Sequence, residues 1–329
     1  MIKVVFFHRK RALGNFSIEN VFVQIRKNLP SEIECTVLEM RFISTGFFKR
    51  LYSCFEAFVN QGEVNHITGD IHFIALFLKK KRTVLTIHDI GFINHPNRAA
   101  RIILKWLWLK LPVHRSAVIT TVSVATKLEV LNYVNVHPSR IRVIYNPVSS
   151  LFIASPKPFD KNCPIILQIG TKPNKNIVRL AEALMGLSCR LHIIGELDEI
   201  TRKALLQFGI DFTMRSNLTV EQVIAEYVSC DILSFVSTIE GFGLPIVEAN
   251  TVGRVVVTSN LSSMPEIAGE AAHLVNPLDI DSIRAGFIKV ISDDTYRGRL
   301  IINGFENKKR FDEQQIAKQY AAIYNELMQ

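Results

Sequence analysis

The chain has 329 residues, of which 48% are hydrophobic and 21% are charged. This composition excludes a disordered chain, and the length suits two domains. No uncharged apolar run approaches the roughly 18 residues of a membrane-spanning helix. Five cysteines lack paired spacing, and the N-terminal segment does not resemble a signal peptide. We therefore expect a reduced, cytoplasmic protein.

The charge is distributed unevenly. Residues 1–150 contain 21 Lys and Arg against 9 Asp and Glu, whereas residues 151–329 contain 18 and 21. The basic half predicts an anionic partner, which could be nucleic acid, a phosphorylated substrate or an anionic membrane surface. Basic and aromatic residues interleave in one segment only, so we expect no nucleic-acid partner.

In the first half, short β-branched runs without alternation predict parallel strands covered on both faces. The predicted strands are Ile2–His8, Thr83–Ile87, Ala117–Val122 and Ile141–Tyr145. Helical periodicity between them predicts helices at Phe16–Asn28, Arg98–Leu111 and Thr126–Val134. This alternation indicates a parallel sheet with right-handed crossovers.

The second half repeats the alternation. Its predicted strands are Pro164–Ile169, Arg190–Ile194, Asp231–Val236 and Arg254–Thr258. Its predicted helices are Ile177–Met185, Asp281–Ser292 and, at the end of the chain, Asp312–Met328. The expected fold class is therefore α/β, with two doubly wound Rossmann-like domains facing a cleft.

A segment of low periodicity separates the two halves. Residues 146–164 contain four prolines, which is typical of a linker. We predict an acceptor-binding domain at 1–147, a linker at 148–163 and a donor-binding domain at 164–311. Residues 312–329 are predicted to form a helix that returns to the first domain.

The stretch STIEGFGLPIVE, Ser237–Glu248, contains the strongest functional signal. It follows a predicted strand and begins a helix, in which we predict Pro245 at the first position and Glu248 in the first turn. Free N–H groups and the helix dipole favour an anion at such a helix start. Gly241 and Gly243 allow the backbone to approach a phosphate closely. Glu240 and Glu248 can accept hydrogen bonds from hydroxyls, although singly one could be a loop carboxylate and the other a helix-dipole partner. A ligand with a phosphate between two polyols, one at each glutamate, is a nucleotide sugar.

This stretch resembles the Glu-x7-Glu signature of the retaining glycosyltransferases of family 4, which have the two-domain GT-B fold. Similarity continues through Ile169–Leu184 and through residues 230–279, and is weaker at Thr86–Phe92, Thr121–Leu131 and Ile141–Val148. The resemblance implies an enzyme that transfers a sugar from a nucleoside-diphosphate donor to an acceptor hydroxyl with retention. It implies front-face displacement, so no protein nucleophile is expected.

The resemblance also implies the roles of individual residues. Glu248 would accept hydrogen bonds from the ribose hydroxyls, and Glu240 would contact the hydroxyls of the donor sugar. Lys175 would bind the diphosphate, where a fixed cation can offset the charge of the leaving group without a metal. A solvated lysine at a helix start is the alternative for Lys175. The remaining donor-binding positions are Gly170, Gly241, Phe242, Gly243 and Leu244.

The chain departs from the family pattern beside Lys175. Many family members have an arginine at the preceding position, where this chain has Asn174. One contact to the diphosphate is therefore missing, and Lys172 is the candidate that would replace it.

Two first-half residues complete the predicted site. His88 ends a predicted strand, and the resemblance places it near the reacting centre, so we predict His88, Glu240 and Lys175 as the catalytic residues. A histidine with a structural role is the alternative, and Asp89 beside it would cap or orient. Gly14 follows the first strand, where the family has a glycine loop near the donor phosphates.

Other chemistries fit the sequence less well. No His, Cys and Asp cluster has metal-ligand spacing, and the nucleotide-binding and hydrolase glycine motifs are absent. We expect no metal and no cofactor, with a nucleotide sugar and a saccharide acceptor as ligands. The alternatives are a sugar-nucleotide epimerase of the same fold and a non-catalytic nucleotide-sugar or membrane-surface binding protein.

The segment Arg98–Leu111 predicts where the enzyme works. It contains both tryptophans of the chain, Trp106 and Trp108, and the basic run Lys79–Arg82 adds charge nearby in sequence. Cations lie along it at helical spacing, at Arg98, Arg101 and Lys105. Such a helix suits the interface of an anionic bilayer, although its apolar residues could instead pack against the sheet. A membrane-bound enzyme would use a lipid-linked acceptor, as in surface polysaccharide assembly, on the inner face of the membrane.

Overall fold

The computed structural model describes residues 1–10 and 17–329. The chain divides into two compact units: Met1–Pro147 together with Asp312–Gln329, and Val148–Phe311. Each unit contains one six-stranded sheet and one hydrophobic core. Among the described residues, no helix has the length and apolar character needed to cross a bilayer.

The sheet of the first unit is parallel, with strand order 2-1-3-4-5-6. Its strands are β1 (Ile2–His8), β2 (Ile33–Glu39), β3 (Val64–Ile67), β4 (Thr83–Ile87), β5 (Val118–Thr121) and β6 (Ile141–Val143). The strand order reverses at β1, so the sheet is doubly wound.

The helices of the first unit connect these strands. They are α1 (Ser17–Lys27), α2 (Phe47–Val59), α3 (Arg98–Leu104), α4 (Leu111–Arg115) and α5 (Val124–Leu131). Short 3-10 turns lie at His72–Phe77, Lys80–Arg82, Gly91–Asn94 and Pro138–Arg140. Between α3 and α4 the helix continues with π geometry over Lys105–Lys110. The helix predicted at Arg98–Leu111 is therefore present, and it extends one turn further.

The second unit has a parallel sheet with strand order 12-11-10-7-8-9. Its strands are β7 (Ile165–Ile169), β8 (Arg190–Ile194), β9 (Phe212–Arg215), β10 (Ile232–Phe235), β11 (Val255–Ser259) and β12 (His273–Val275). Its helices are α6 (Ile177–Leu184), α7 (Glu199–Gln207), α8 (Val220–Ser229), α9 (Leu244–Val252), α10 (Met264–Ala268), α11 (Ile280–Ser292) and α12 (Asp294–Asn307). The order reverses between β7 and β10, and ligands of doubly wound sheets bind beyond the carboxyl ends of the strands at such a point.

The last helix, α13 (Glu313–Glu326), belongs to the first unit. Tyr324 is fully buried there, and its hydroxyl lies 2.6 Å from Nδ1 of His66. Nε2 of His66 lies 2.7 Å from the hydroxyl of Thr86. Burial lowers the pKa of His66 well below its ordinary value, so the ring is neutral. This buried network fixes α13 against the sheet.

Candidate functional site

Three loops of the second unit follow neighbouring parallel strands, β7, β10 and β11, so they lie at one edge of the sheet. The N–H of Thr238, after β10, donates to the carbonyl of Asn174, after β7 (2.9 Å). Nδ2 of Asn176 donates to the carbonyls of Val236 (3.1 Å) and Pro277 (2.7 Å). These bonds connect the two loops that contain most of the predicted donor-binding residues.

Lys175 and Glu240 form an ion pair at this edge. Their Nζ and Oε1 atoms lie 2.6 Å apart, and the side chains are 15% and 16% exposed. Nζ of Lys175 also lies 4.5 Å from the centre of the Phe235 ring, within the range of a cation–π interaction. Gly170 leaves room for this lysine, because a Cβ at that position would lie 2.9 Å from Cε of Lys175. Lys175 is thus a largely buried lysine with a fixed position.

Asn174 contacts Glu240 directly. Its Nδ2 donates to Oε1 of Glu240 and to the carbonyl of Ile239, both at 3.0 Å. The amide therefore orients the carboxylate without adding a second positive charge. Lys172 is exposed, and its carbonyl accepts from the N–H of Lys175 (2.8 Å). Its compensation for Asn174 stays a prediction.

Two serines that were not among the predicted site residues hold the turn that follows Glu240. The hydroxyl of Ser262 donates to the carbonyl of Glu240 at 2.6 Å. The hydroxyl of Ser263 donates to the same carbonyl (3.0 Å) and to that of Phe242 (2.7 Å). The sequence shows a Ser-Ser pair shortly after a predicted strand, but its contact with the Glu-Gly-Phe-Gly turn follows only from the pairing of β10 with β11.

Helix α9 begins at this turn. Gly243 precedes it with a φ of +108°, a conformation that favours glycine. Phe242 is buried, with its ring centre 5.6 Å from that of Phe311. Pro245 is the second helical residue rather than the first, and Glu248 lies just beyond the first turn. The expectation that Glu248 falls in the first turn is wrong by one residue, because the helix begins at Leu244.

Glu248 has a carboxyl group that is largely withdrawn from solvent. It accepts a hydrogen bond of 2.5 Å from the hydroxyl of Tyr227, a fully buried residue of α8. Burial raises the pKa of Glu248 from its ordinary 4.5 to about 7, against the opposing effect of the Tyr227 hydrogen bond. Burial, and then the charge of the Glu248 carboxylate, raise the pKa of Tyr227 well above its ordinary value. Glu248 is therefore close to half-ionised at neutral pH.

His88 lies in the first unit, where it lines a pocket of about 240 Å³. Its Nε2 lies 3.0 Å from the carbonyl of Thr68. Because a carbonyl only accepts, Nε2 bears the proton and Nδ1 remains an acceptor. Burial lowers the pKa of His88 to about 4, so the ring is neutral at physiological pH. Oδ1 of Asp89 accepts from the N–H of Gly91 (2.9 Å).

The same pocket contains further polar side chains. Arg9 pairs with Glu19 (2.9 Å) and with Asp70 (3.3 Å). The other lining residues are Ile18, His72 and Phe92. Gly14, which was predicted to lie near the donor phosphates, falls outside the described residues.

Within the described ranges, no group of three or more His, Cys, Asp or Glu side chains could hold a metal ion. The sequence does contain one Asp-x-Asp pair, Asp279-Ile280-Asp281, which was not among the predicted site residues. In the structure, Oδ1 of Asp279 accepts from the N–H groups of Asp281 (3.0 Å) and Ser282 (3.3 Å). Asp279 is therefore the N-cap of α11.

Comparison with known proteins identifies the class. The family model "Glycosyl transferases group 1" matches residues 152–307, and "Glycosyltransferase Family 4" matches residues 44–150. O-antigen chain mannosyltransferase B of Escherichia coli is 28% identical over 271 residues, which cover 74% of this chain and 70% of that protein. The MMP alpha-(1->4)-mannosyltransferase of Mycolicibacterium hassiacum is 27% identical over 246 residues, covering 71% of this chain and 57% of that protein.

Solved structures show the same architecture. Anabaena Alr3699/HepE in complex with UDP and glucose superposes with a TM-score of 0.80 at 16% identity, covering 99% of this chain and 100% of that chain. WaaG, a glycosyltransferase involved in lipopolysaccharide biosynthesis, superposes with a TM-score of 0.73 at 12% identity, covering 98% and 99%. With its two six-stranded parallel sheets, the chain has the GT-B fold. The family matches then make the assignment specific: the chain belongs to glycosyltransferase family 4.

Proposed function

We propose that this glycosyltransferase moves a sugar, with retention of configuration, from a nucleoside-diphosphate donor to a hydroxyl of a saccharide. The observation that carries the proposal is the pairing of Lys175 with Glu240 beside the N-terminus of α9. A helix N-terminus and a fixed cation suit a diphosphate. The carboxylates of Glu240 and Glu248 suit the hydroxyls of the donor sugar and the ribose.

The reaction proposed is displacement at the anomeric carbon. The bond from that carbon to the diphosphate oxygen breaks, and a bond to the acceptor oxygen forms on the same face. The acceptor proton passes to the departing phosphate oxygen. Lys175 stabilises the negative charge that develops on this leaving group. His88 is neutral, so its Nδ1 serves as an acceptor for a sugar hydroxyl rather than as an acid.

Metal independence is part of the proposal. Lys175 and the N-terminal N–H groups of α9 supply the positive field that a divalent ion would otherwise provide. Transfer should therefore continue in EDTA. If EDTA abolished transfer and magnesium or manganese restored it, a metal would have a role, and Asp279 and Asp281 would be the first residues to test.

Our proposal for the transferred sugar comes from the names of similar proteins. Relatives of this chain are named as mannosyltransferases, whereas the HepE structures contain UDP with glucose or UDP-glucose. We propose a hexosyl donor and would test GDP-mannose and UDP-glucose first. Thermal shift with the nucleotides should select the base, and product analysis with saccharide acceptors should show a new glycosidic bond. A changed sugar nucleotide formed without acceptor would instead identify an epimerase.

We also propose a lipid-linked acceptor at the cytoplasmic face of an anionic membrane. Arg98 and Arg101 are exposed, and Trp106 is about half exposed, which supports this assignment. The row of cations predicted at Arg98, Arg101 and Lys105 is not continuous, because Nζ of Lys105 lies 4.9 Å from the centre of the Tyr133 ring. Trp108 is buried. Part of the segment therefore packs inward, and the membrane surface must include other residues.

A further inference from the structure

The solvent-facing side of α2 is apolar, the reverse of the usual pattern for a surface helix. At about 100° per residue, seven large apolar side chains fall within an arc of about 140°. All seven are exposed, with exposed fractions from 37% to 83%. They are Phe47, Phe48, Leu51, Tyr52, Phe55, Phe58 and Val59, and we call them the aromatic face of α2. The buried residues of the helix are the small Ser53, Cys54 and Ala57.

This arrangement requires a partner for the aromatic face. Contiguous exposed apolar surface is unfavourable in water and marks interaction sites. No other helix of residues 1–10 and 17–329 exposes as many large apolar side chains. Small residues against the core and large aromatics toward solvent indicate a helix shaped for contact on its outer side.

Positive charge flanks both ends of the aromatic face. Lys49, the third residue of α2, is exposed near its N-terminal end. At the other end, the N–H of Lys79 donates to Oε1 of Gln61 (2.8 Å), which places the basic run Lys79–Arg82 beside the end of α2. Glu56 is the only acidic residue of α2, and its carboxylate accepts from the N–H of Arg41 (3.1 Å).

We propose that the aromatic face of α2 docks on an anionic lipid bilayer. Phenylalanine and leucine side chains would enter the interface, while the flanking cations would lie at the level of the headgroups. A bilayer fits better than a protein surface because the face offers almost no hydrogen-bonding groups at its centre. The proposal extends the membrane association stated above, and it does not depend on the transferase assignment.

Helix α2 adjoins the segment in which the sequence predicted membrane contact. The guanidinium of Arg50, on α2, lies 4.7 Å from the centre of the Trp108 ring. In the same segment Ile102, Ile103 and Trp106 are about half exposed. The apolar contact we propose therefore centres on α2, and the cations of the neighbouring segment add electrostatic attraction.

Co-sedimentation of the full chain with vesicles tests the proposal. Phosphatidylcholine vesicles with and without phosphatidylglycerol are compared for wild type and for Phe47→Gln/Phe48→Gln. We expect wild type to bind the anionic vesicles and the variant to bind them at least about tenfold more weakly, as the loss of two inserted phenylalanines implies. Ile200→Gln/Leu206→Gln, on the exposed surface of α7 in the second unit, is the matched control and should bind like wild type.

Three further measurements make the outcome decisive. The unfolding midpoint of the variant should match that of wild type, since both side chains are exposed. Donor-induced thermal shift, measured on the same preparations, reports the transferase site separately: its absence would overturn the proposed function and leave the docking result intact. Equal vesicle binding by wild type and variant would overturn the proposal. Failure of wild type to bind vesicles, with a dimer in light scattering that the variant abolishes, would overturn it in favour of a second copy of this chain.

Discussion

Glu248 should make donor binding sensitive to pH near neutrality. Its pKa is raised by burial to about 7, and the carboxylate is the form that accepts from two ribose hydroxyls. Below pH 7 the proton must leave before the donor binds. The dissociation constant should therefore rise about 30-fold between pH 8 and pH 5.5, because each pH unit below the pKa weakens binding about tenfold.

Calorimetric titration with the intact nucleotide sugar measures this effect, because its diphosphate diester does not titrate in that range. Glu248→Gln removes the titrating group, so its affinity should be weaker than that of wild type at pH 8 and nearly constant with pH. Tyr227→Phe removes a hydrogen bond that lowers the pKa, so it should move the midpoint to higher pH. Identical pH profiles for wild type and Glu248→Gln would refute the assignment of Glu248.

Stability should change in the opposite direction. A carboxyl whose pKa is higher in the folded than in the unfolded state contributes stability at low pH, and this contribution disappears as pH rises through 7. Glu248→Gln should therefore stabilise the unliganded protein at pH 8 and not at pH 4. From a shift of about 2.5 units, the gain is at most about 3 kcal/mol. Thermal unfolding at the two pH values measures it.

Three other substitutions test separate features. Lys175→Ala should lower kcat with a loss of about 2–4 kcal/mol in transition-state stabilisation; a loss of tenfold or less in steady-state kinetics would assign the diphosphate to another cation. Gly170→Ala should lower turnover while circular dichroism stays unchanged, because the φ of +81° strains an alanine and because its Cβ would displace Lys175. Normal kinetics would show that the backbone and Lys175 tolerate the change. Tyr324→Phe should lower the free energy of unfolding by about 1–3 kcal/mol, because it leaves His66 with an unsatisfied buried nitrogen. An unchanged denaturation midpoint would contradict this expectation.

The sequence predicted the central strands well and the edges of the sheets poorly. The bounds of β1, β4 and β8 match the prediction, because each is a short β-branched run between breaks in periodicity. The edge strands β2 and β9 were missed because most of their residues are partly or fully exposed and form no continuous apolar run. Strand β3 was missed because two of its four buried residues, Asn65 and His66, are polar.

The part of the candidate site that lies in one continuous stretch of sequence could be predicted. The two glutamates and the glycines between them follow from a strand, a turn and a helix start that can be recognised in one stretch of sequence. The partners from other loops could not be predicted, because contacts such as Asn174 with Glu240 and Ser263 with Phe242 depend on strand order. The aromatic face of α2 was missed because no helix was predicted at Phe47–Val59. Periodicity would in any case identify an apolar stripe, but not whether that stripe faces the core or the solvent.

The return of α13 to the first unit has a consequence for biosynthesis. The second unit is a continuous stretch, Val148–Phe311, whereas the first requires residues from both ends of the chain. During translation the second unit can complete its fold while the first still lacks α13. In that state His66 has no contact with Tyr324. Until α13 leaves the ribosome, the first unit has an unfilled site over its sheet. Premature stop codons and C-terminal degradation should therefore destabilise the N-terminal half of the protein first.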